Sequence, residues 1–151
     1  MKALLLSLGF AAMLWAQTQQ YVAEGDKLFA AGKYADAIAP YQKAFDADKK
    51  DGKLNHDLVT HLAQAYGAAG KLTAEEDVLQ YGMAQDAAHP MFYYLMAHVY
   101  AGRNDRENTM KYLRLALQHR QKTEDLPDPR HDDAFVRFYK HDDLRKVVDS
   151  F

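Results

Sequence analysis

Residues 20–48, QYVAEGDKLFAAGKYADAIAPYQKAFDAD, contain two amphipathic segments separated by a tight turn. In the first segment the apolar and small residues Tyr21, Gly25 and Leu28 are three or four positions apart, as on one face of a helix. Gly32 interrupts this spacing, and glycine readily adopts the left-handed conformation that ends a helix. The helical spacing then resumes, so the stretch predicts a helix–turn–helix unit.

Small residues predict how the two helices of this unit pack. Gly25 and Ala37 let the backbones approach each other, and Tyr34 and Tyr41 are expected to fill the space between them. Pro40 lies inside the second helix, where it costs a backbone hydrogen bond. The charged stretch that follows, DADKKDGK at 46–53, predicts a solvated turn before the next unit.

Two looser copies of the unit follow. The second spans about residues 56–89 and has Gly70 at its turn. The third spans about residues 90–123, begins with Pro90, which suits the first turn of a helix, and has Asn104 at its turn in place of glycine. Because one helix pair cannot cover its own apolar face, three copies predict a stacked array with a continuous core.

The first unit resembles the tetratricopeptide repeat (TPR), a helix–turn–helix repeat of about 34 residues. The positions that match are Tyr21, Gly25, Leu28, Gly32, Tyr34, Ala37, Tyr41 and Ala44. Glu24 and Lys49 depart from the pattern, where the family usually has Leu and Pro. The resemblance implies an all-α fold: a right-handed α-solenoid of about three TPR helix pairs at 17–121, the first at about 18–51, with short C-terminal helices that cap it at 122–151.

The first 16 residues have the organisation of a secretory signal peptide. Lys2 supplies a positive start, residues 3–15 form an apolar run too short to span a bilayer, and Ala16 is a small residue before a polar one. Leu14 is not the small residue preferred at its position, so the cleaved bond is less well defined than export itself. An uncleaved anchor is the alternative. No later stretch is apolar enough to cross a membrane, so we expect a periplasmic or secreted mature chain.

Composition argues against several classes of function. After residue 16 the chain has 18 basic and 21 acidic residues (18 − 21 = −3), which disfavours a nucleic-acid partner. There is no cysteine, so an exported chain would be held together by packing alone. Ser150 is the one serine beyond the signal segment, which leaves almost no candidate for nucleophilic catalysis. We therefore expect no enzyme and no cofactor.

The TPR resemblance implies a groove, lined by the first helix of each pair, that holds a segment of a protein or peptide partner. The predicted groove residues are Val22, Asp26, Phe29, Asp57, Thr60, Gln64, Met91, Tyr94 and His98. Some TPR proteins clamp a C-terminal carboxylate in this groove with Lys, Asn and Arg. The matching positions here hold Val22, Asp26, His61, Met91 and Leu95, so the clamp is absent. Two groove carboxylates favour a neutral or basic segment instead.

Two other interpretations stay open. The tail repeats His-Asp-Asp, and its residues His131, Asp133, His141 and Asp143 offer ligands for a divalent metal, although an Asp that caps each of two short helices is the favoured explanation of the motif. Asp57 and His61 are one helical turn apart and could form the acid/base pair of an enzyme, although a solvated ion pair is the simpler explanation.

We therefore expect a non-catalytic interaction scaffold or adaptor in the periplasm or cell envelope. The alternative is a metal- or small-molecule-binding envelope protein that uses the His-Asp-Asp tail. A weak homodimer through the end helices is compatible with both.

Overall fold

The computed structural model describes residues 2–122 and 126–151, with side chains from residue 13 onward. Over these residues the regular structure is entirely helical, which confirms the predicted all-α class. The elements are α1 (Lys2–Ala30), α2 (Tyr34–Lys50), α3 (His56–Ala68), α4 (Leu72–Gln85), α5 (Pro90–Gly102), α6 (Arg106–His119), a 3-10 helix (Pro129–His131), α7 (Asp133–Val136) and α8 (Asp142–Val148). They form two compact units, Met1–Ala69 and Gly70–Phe151.

Residues in the left-handed conformation form the turns between paired helices. Gly32, with φ of 71°, joins α1 to α2, and Asn104, with φ of 59°, joins α5 to α6. In both turns the left-handed residue and its successor donate backbone N–H groups to carbonyls of the preceding helix, at 2.9 Å in all four bonds. Asparagine tolerates this conformation better than most residues, so Asn104 replaces glycine at the third turn, as predicted.

In the first unit α1 packs on α2, and α2 packs on α3. The core consists of small and apolar side chains at the predicted spacing: Ala37, Ile38, Tyr41, Ala44, Phe45, Leu58, Val59, Leu62 and Ala63. Helix α2 continues through Pro40, whose side chain is buried. Tyr41 fills the space between α1 and α2, as expected, but Tyr34 is 40% exposed. The prediction for Tyr34 is wrong because this residue begins α2, where its ring lies at the edge of Phe29, 5.0 Å between centroids.

The charged stretch after the first repeat is more helical than predicted. Helix α2 continues to Lys50 and is followed by Asp51 and then by the left-handed Gly52, with φ of 66°. Lys49 and Lys50 lie in the last turn of α2, where positive charge is favoured by the helix dipole. Charge therefore did not end the helix at residue 46.

The second unit consists of α4, α5 and α6, with the short C-terminal helices packed on them. Helix α5 packs on both α4 and α6, α7 packs on α5, and α8 packs on α6. The buried side chains include Leu79, Phe92, Met96, Ala97, Val99, Leu113, Ala116, Phe135, Leu144 and Val148. The tail beyond the repeats thus contributes to the core of this unit.

Helix α1 continues without interruption through the predicted cleavage point after Ala16. Three large apolar side chains just before that point, Met13, Leu14 and Trp15, are 71%, 48% and 61% exposed, so they contribute little to the core. Within the described residues, none of the helices combines the length and the apolar character that crossing a bilayer requires. Cleavage and export stay predictions.

A buried acid lies in α4. Glu75 takes the place of the small residue that the repeat pattern favours, and it is 2% exposed. Desolvation raises the pKa of its carboxyl from 4.5 to about 8, and the opposing attraction of Arg103 does not cancel this effect. Glu75 therefore holds a proton in the folded chain at a pH where the unfolded chain has lost it.

This raised pKa predicts that the fold loses stability as pH increases. Between pH 4.5 and about 8 the folded state binds the extra proton, so the free energy of unfolding should fall with rising pH by up to roughly 1.4 kcal/mol per unit. Glu75→Gln cannot ionise at this position. Its free energy of unfolding should therefore equal that of the unmodified chain at about pH 5 and exceed it at about pH 8. Urea unfolding at both pH values measures this, and equal pH dependence of the two chains would contradict it.

Candidate functional site

The predicted groove positions of the first two repeats lie on α1 and α3, which pack against each other in the first unit. We call this surface the α1–α3 face. Its carboxylates Asp26 and Asp57 are exposed, and its remaining predicted side chains are half-buried: Val22, Phe29, Thr60 and Gln64.

Four side chains from three helices meet on this face, and we call them the Asp26 cluster. Asp26 Oδ1 accepts a hydrogen bond from the Tyr41 hydroxyl at 2.7 Å and lies 3.3 Å from His61 Nδ1. The ring of Phe29 stacks on the His61 ring, with centroids 5.1 Å apart and planes 24° from parallel. Burial, followed by the hydrogen bond to Asp26, raises the pKa of Tyr41 well above its usual value, so the hydroxyl stays a neutral donor.

The Asp26 cluster combines a buried side chain with two that are partly exposed to solvent. Tyr41 is fully buried, whereas the side chains of Asp26 and His61 are 49% and 38% exposed. Both of these contacts are made to Oδ1 of the carboxylate, and the Asp26 side chain is half exposed. The face thus presents a fixed acceptor beside an aromatic surface, an arrangement that can hold a cationic or amide group.

His61 has a different partner from the one predicted. Its ion-pair contact within the described residues is to Asp26 on α1, not to Asp57 one turn away. Stacking on Phe29 directs the imidazole across to α1, and Asp57 is exposed. The proposed Asp57–His61 acid/base pair is therefore not formed. The sequence predicts Tyr41 only as a core residue. Its hydroxyl was the available indication of a further role, because a hydroxyl at a buried position requires a hydrogen-bond partner.

The groove positions of the third repeat lie on α5, in the second unit, and the C-terminal segment covers them. Tyr94 is 1% exposed, and its hydroxyl donates to Asp132 Oδ2 at 2.8 Å. His98 Nε2 lies 2.6 Å from the same oxygen, and Phe135 packs edge-on against both rings. Met91 is half-buried. The predicted open surface at Tyr94 and His98 is thus occupied by the chain itself.

The electrostatics of this contact favour an ionised Asp132. Burial alone would raise the pKa of its carboxyl, but the hydrogen bonds and charge of His98, together with the hydroxyl of Tyr94 and the N–H of Ala134, outweigh burial and lower it. Burial and the neighbouring carboxylate raise the pKa of Tyr94 far beyond its usual value. Two donors therefore converge on one carboxylate oxygen.

The four predicted metal ligands of the tail do not come together. The His131 side chain is 85% exposed, Asp143 pairs with Arg106 at 3.1 Å, and His141 Nδ1 lies 3.0 Å from another nitrogen of the same guanidinium. No three of His131, Asp133, His141 and Asp143 place ligand atoms within 4.8 Å of one another. A cation beside His141 also opposes metal binding there, so these residues do not form the predicted centre.

The capping interpretation of the same motif is correct for its first copy. Asp132 precedes α7 and accepts a hydrogen bond from the Ala134 N–H at 3.0 Å. In the second copy His141 occupies the cap position without a side-chain bond, and both aspartates lie in the first turn of α8. There the carboxylates still interact favourably with the helix dipole.

Comparison with known proteins shows similarity to a solved structure. No protein-family model matches the chain, and no curated protein matches it. The chain is similar to the first TPR domain of Spaghetti (RPAP3), whose structure contains the HSP90 peptide SRMEEVD. The TM-score is 0.63 at 23% identity, over 89% of this chain and 93% of that one. The similarity confirms the TPR fold that the repeat pattern predicts.

The contact between Gly25 and Tyr41 gives a test of how the Asp26 cluster is held. A Cβ at Gly25 would lie 2.4 to 2.9 Å from three atoms of the Tyr41 ring, which is fully buried and has no free space to move into. Gly25→Ala should therefore destabilise the fold by roughly 1–3 kcal/mol, although alanine is the better helix former by about 1 kcal/mol. Urea unfolding measures the change.

The matched control is Glu24→Ala, at the exposed neighbouring position of the same helix. It should change stability by no more than about 0.5 kcal/mol. If Gly25→Ala is as stable as this control, the close packing of Tyr41 on α1 is not what supports the cluster.

Proposed function

We propose that this protein is an exported, non-catalytic binding module whose α1–α3 face holds a neutral or basic segment of a protein partner in the periplasm or cell envelope. The observation that carries this proposal is the Asp26 cluster. A buried hydroxyl from α2 orients an exposed carboxylate, and an exposed imidazole stacks on an aromatic ring beside it. Such a preorganised patch loses little entropy when it binds a ligand.

The remaining side chains of the face suit an extended peptide. Asp57 adds a second exposed carboxylate, while Thr60 and Gln64 offer hydrogen-bonding groups on α3. Val22 and Phe29 provide half-buried apolar surface next to Asp26. Apolar anchors with a polar rim are typical of peptide recognition, and two carboxylates complement Lys or Arg side chains.

The fold neighbour binds a different kind of segment. The HSP90 peptide in the RPAP3 structure, SRMEEVD, is rich in carboxylates. At the positions where the TPR clamp supplies cations and amides, the first unit of this chain has Val22, Asp26 and His61. The carboxylate of Asp26 would repel a carboxylate-rich peptide, so the selectivity proposed for this face is opposite to that of the RPAP3 domain.

A non-catalytic role also agrees with the chemistry on the face. The Asp26–His61 contact resembles the base and orienting acid of a catalytic triad, but a nucleophile must stand within hydrogen-bond reach of such a base. The one serine beyond residue 16, Ser150, donates its hydroxyl to the Lys146 carbonyl at 2.9 Å. Of the tail residues considered for metal binding, His141 and Asp143 contact Arg106, and His131 is exposed.

Peptide charge tests this proposal directly. A fluorescein-labelled peptide that alternates Lys and Leu should bind the full chain, and its Glu–Leu counterpart should bind much more weakly, in fluorescence anisotropy. Because exposed charges are screened, affinity for the Lys–Leu peptide should fall as salt increases. The double variant Asp26→Asn, Asp57→Asn should weaken that affinity by about fivefold or more, equal to about 1 kcal/mol.

A charge-matched control separates local recognition from net charge. Asp77→Asn with Glu107→Gln removes two exposed carboxylates from α4 and α6, and it should leave the affinity unchanged. Equal losses in both double variants would mean that the peptide responds only to overall charge. Preference for the Glu–Leu peptide would refute the proposed specificity.

Export has its own test. The chain recovered from the cell envelope or medium should begin at or near Gln17, because the first 16 residues have the organisation of a cleaved signal. N-terminal sequencing of the fractionated protein measures this. Recovery of the chain from the cytoplasm with its N-terminal residues intact would show that export is not part of its function, without affecting the peptide result.

A further inference from the structure

The C-terminal segment contacts α5 in the manner of a bound ligand. Oδ2 of Asp132 lies 2.8 Å from Tyr94 Oη and 2.6 Å from His98 Nε2. Because a carboxylate only accepts hydrogen bonds, both groups act as donors. The side chains of Asp132 and His98 are 17% and 30% exposed, so this contact is far less solvated than the Asp26 contact of the first unit.

An aromatic residue completes the contact. Phe135, three residues after Asp132, is fully buried and lies edge-on to Tyr94 and His98, with ring centroids 5.6 and 4.9 Å away. The second oxygen of Asp132 accepts the N–H of Ala134, which fixes the short turn between the acid and the ring. An acid and a phenylalanine at this spacing therefore engage the same two side chains of α5.

The first unit shows what differs here. Tyr41 and His61 also meet on one oxygen of an aspartate, but that aspartate, Asp26, belongs to a repeat helix. On α5 the repeat supplies only the donors, Tyr94 and His98, and the acid comes from a segment beyond the repeats. Tyr94 and His98 thus form a binding site for a carboxylate, which the repeat itself does not supply.

We propose that the face of α5 formed by Tyr94 and His98 is a binding site for segments of the form Asp-x-x-Phe, and that residues 132–135 occupy it as a resident ligand. An external segment with the same acid and ring binds by displacing them. This site is in the second unit, and it accepts an acid where the α1–α3 face favours a base. The result of its test does not depend on whether the proposed function is correct.

A peptide copied from the tail tests the site. The probe is a fluorescein-labelled peptide of residues 128–138, DPRHDDAFVRF, titrated against the full chain. The resident segment competes at a high effective concentration, so the unmodified chain should bind the probe weakly. Asp132→Asn in the chain keeps a good helix cap but weakens the resident contact, and it should raise the affinity for the probe about tenfold.

Two further variants identify where the probe binds. Adding Tyr94→Phe and His98→Leu, which remove both donors, to the Asp132→Asn chain should abolish the gain. Adding Asp26→Asn instead should leave the gain intact, which excludes binding of the peptide's arginines to the α1–α3 face. A probe with Asn in place of the residue-132 acid should bind the Asp132→Asn chain much more weakly than the acidic probe does.

The proposal is overturned if the Asp132→Asn chain, folded by circular dichroism, gains no affinity, or if the gain survives the loss of Tyr94 and His98 donors. If that chain does not fold, the unmodified chain provides the readout. A probe with p-benzoylphenylalanine at the Phe135 position should then crosslink to α5, less strongly when Tyr94→Phe and His98→Leu are present. Crosslinks spread over other helices would equally refute the site.

Discussion

The packing of Tyr41 against Gly25 is the contact on which the first unit and its candidate site both depend. The ring is fully buried between α1 and α2, a burial that stabilises the fold by about 2 kcal/mol, and the glycine allows the helices to approach this closely. The same side chain ends in a hydroxyl that must find an acceptor, and it finds Asp26. One residue thus fixes the distance between two helices and orients the carboxylate on the surface above them.

The second unit uses the same chemistry for a different purpose. Tyr94 and His98 also converge on an aspartate, but Asp132 arrives from the C-terminal segment and brings Phe135 into the core with it. The C-terminal segment therefore packs on the helices of the second unit and also occupies a predicted binding surface. One contact thus serves both capping and recognition. The apolar end of a repeat array has to be covered, and the covering segment needs a polar contact that sets its register.

The repeat pattern predicted the fold well because it reports local physics. Periodic apolar residues, left-handed positions at Gly32 and Asn104, and the helix-starting Pro90 each act within one or two turns of helix. The errors arose where local rules compete. Charge was expected to end α2 at residue 46, but lysines in a last turn favour the helix, and Tyr34 was assigned to the core although it begins α2.

The sequence by itself determined the helical pairs, the TPR pattern and a set of groove positions, because spacing along one chain decides which residues share a helix face. Tertiary structure alone decided that His61 pairs with Asp26 and not with Asp57, and that the α5 face is covered by Asp132 and Phe135. These partners are 34 to 37 residues apart along the chain, counting His61–Asp26 at 35, His98–Asp132 at 34 and His98–Phe135 at 37. These separations are close to the repeat length of about 34 residues, but the repeat pattern predicts only which helix face a residue occupies. The packing of the helices decides which side chains meet.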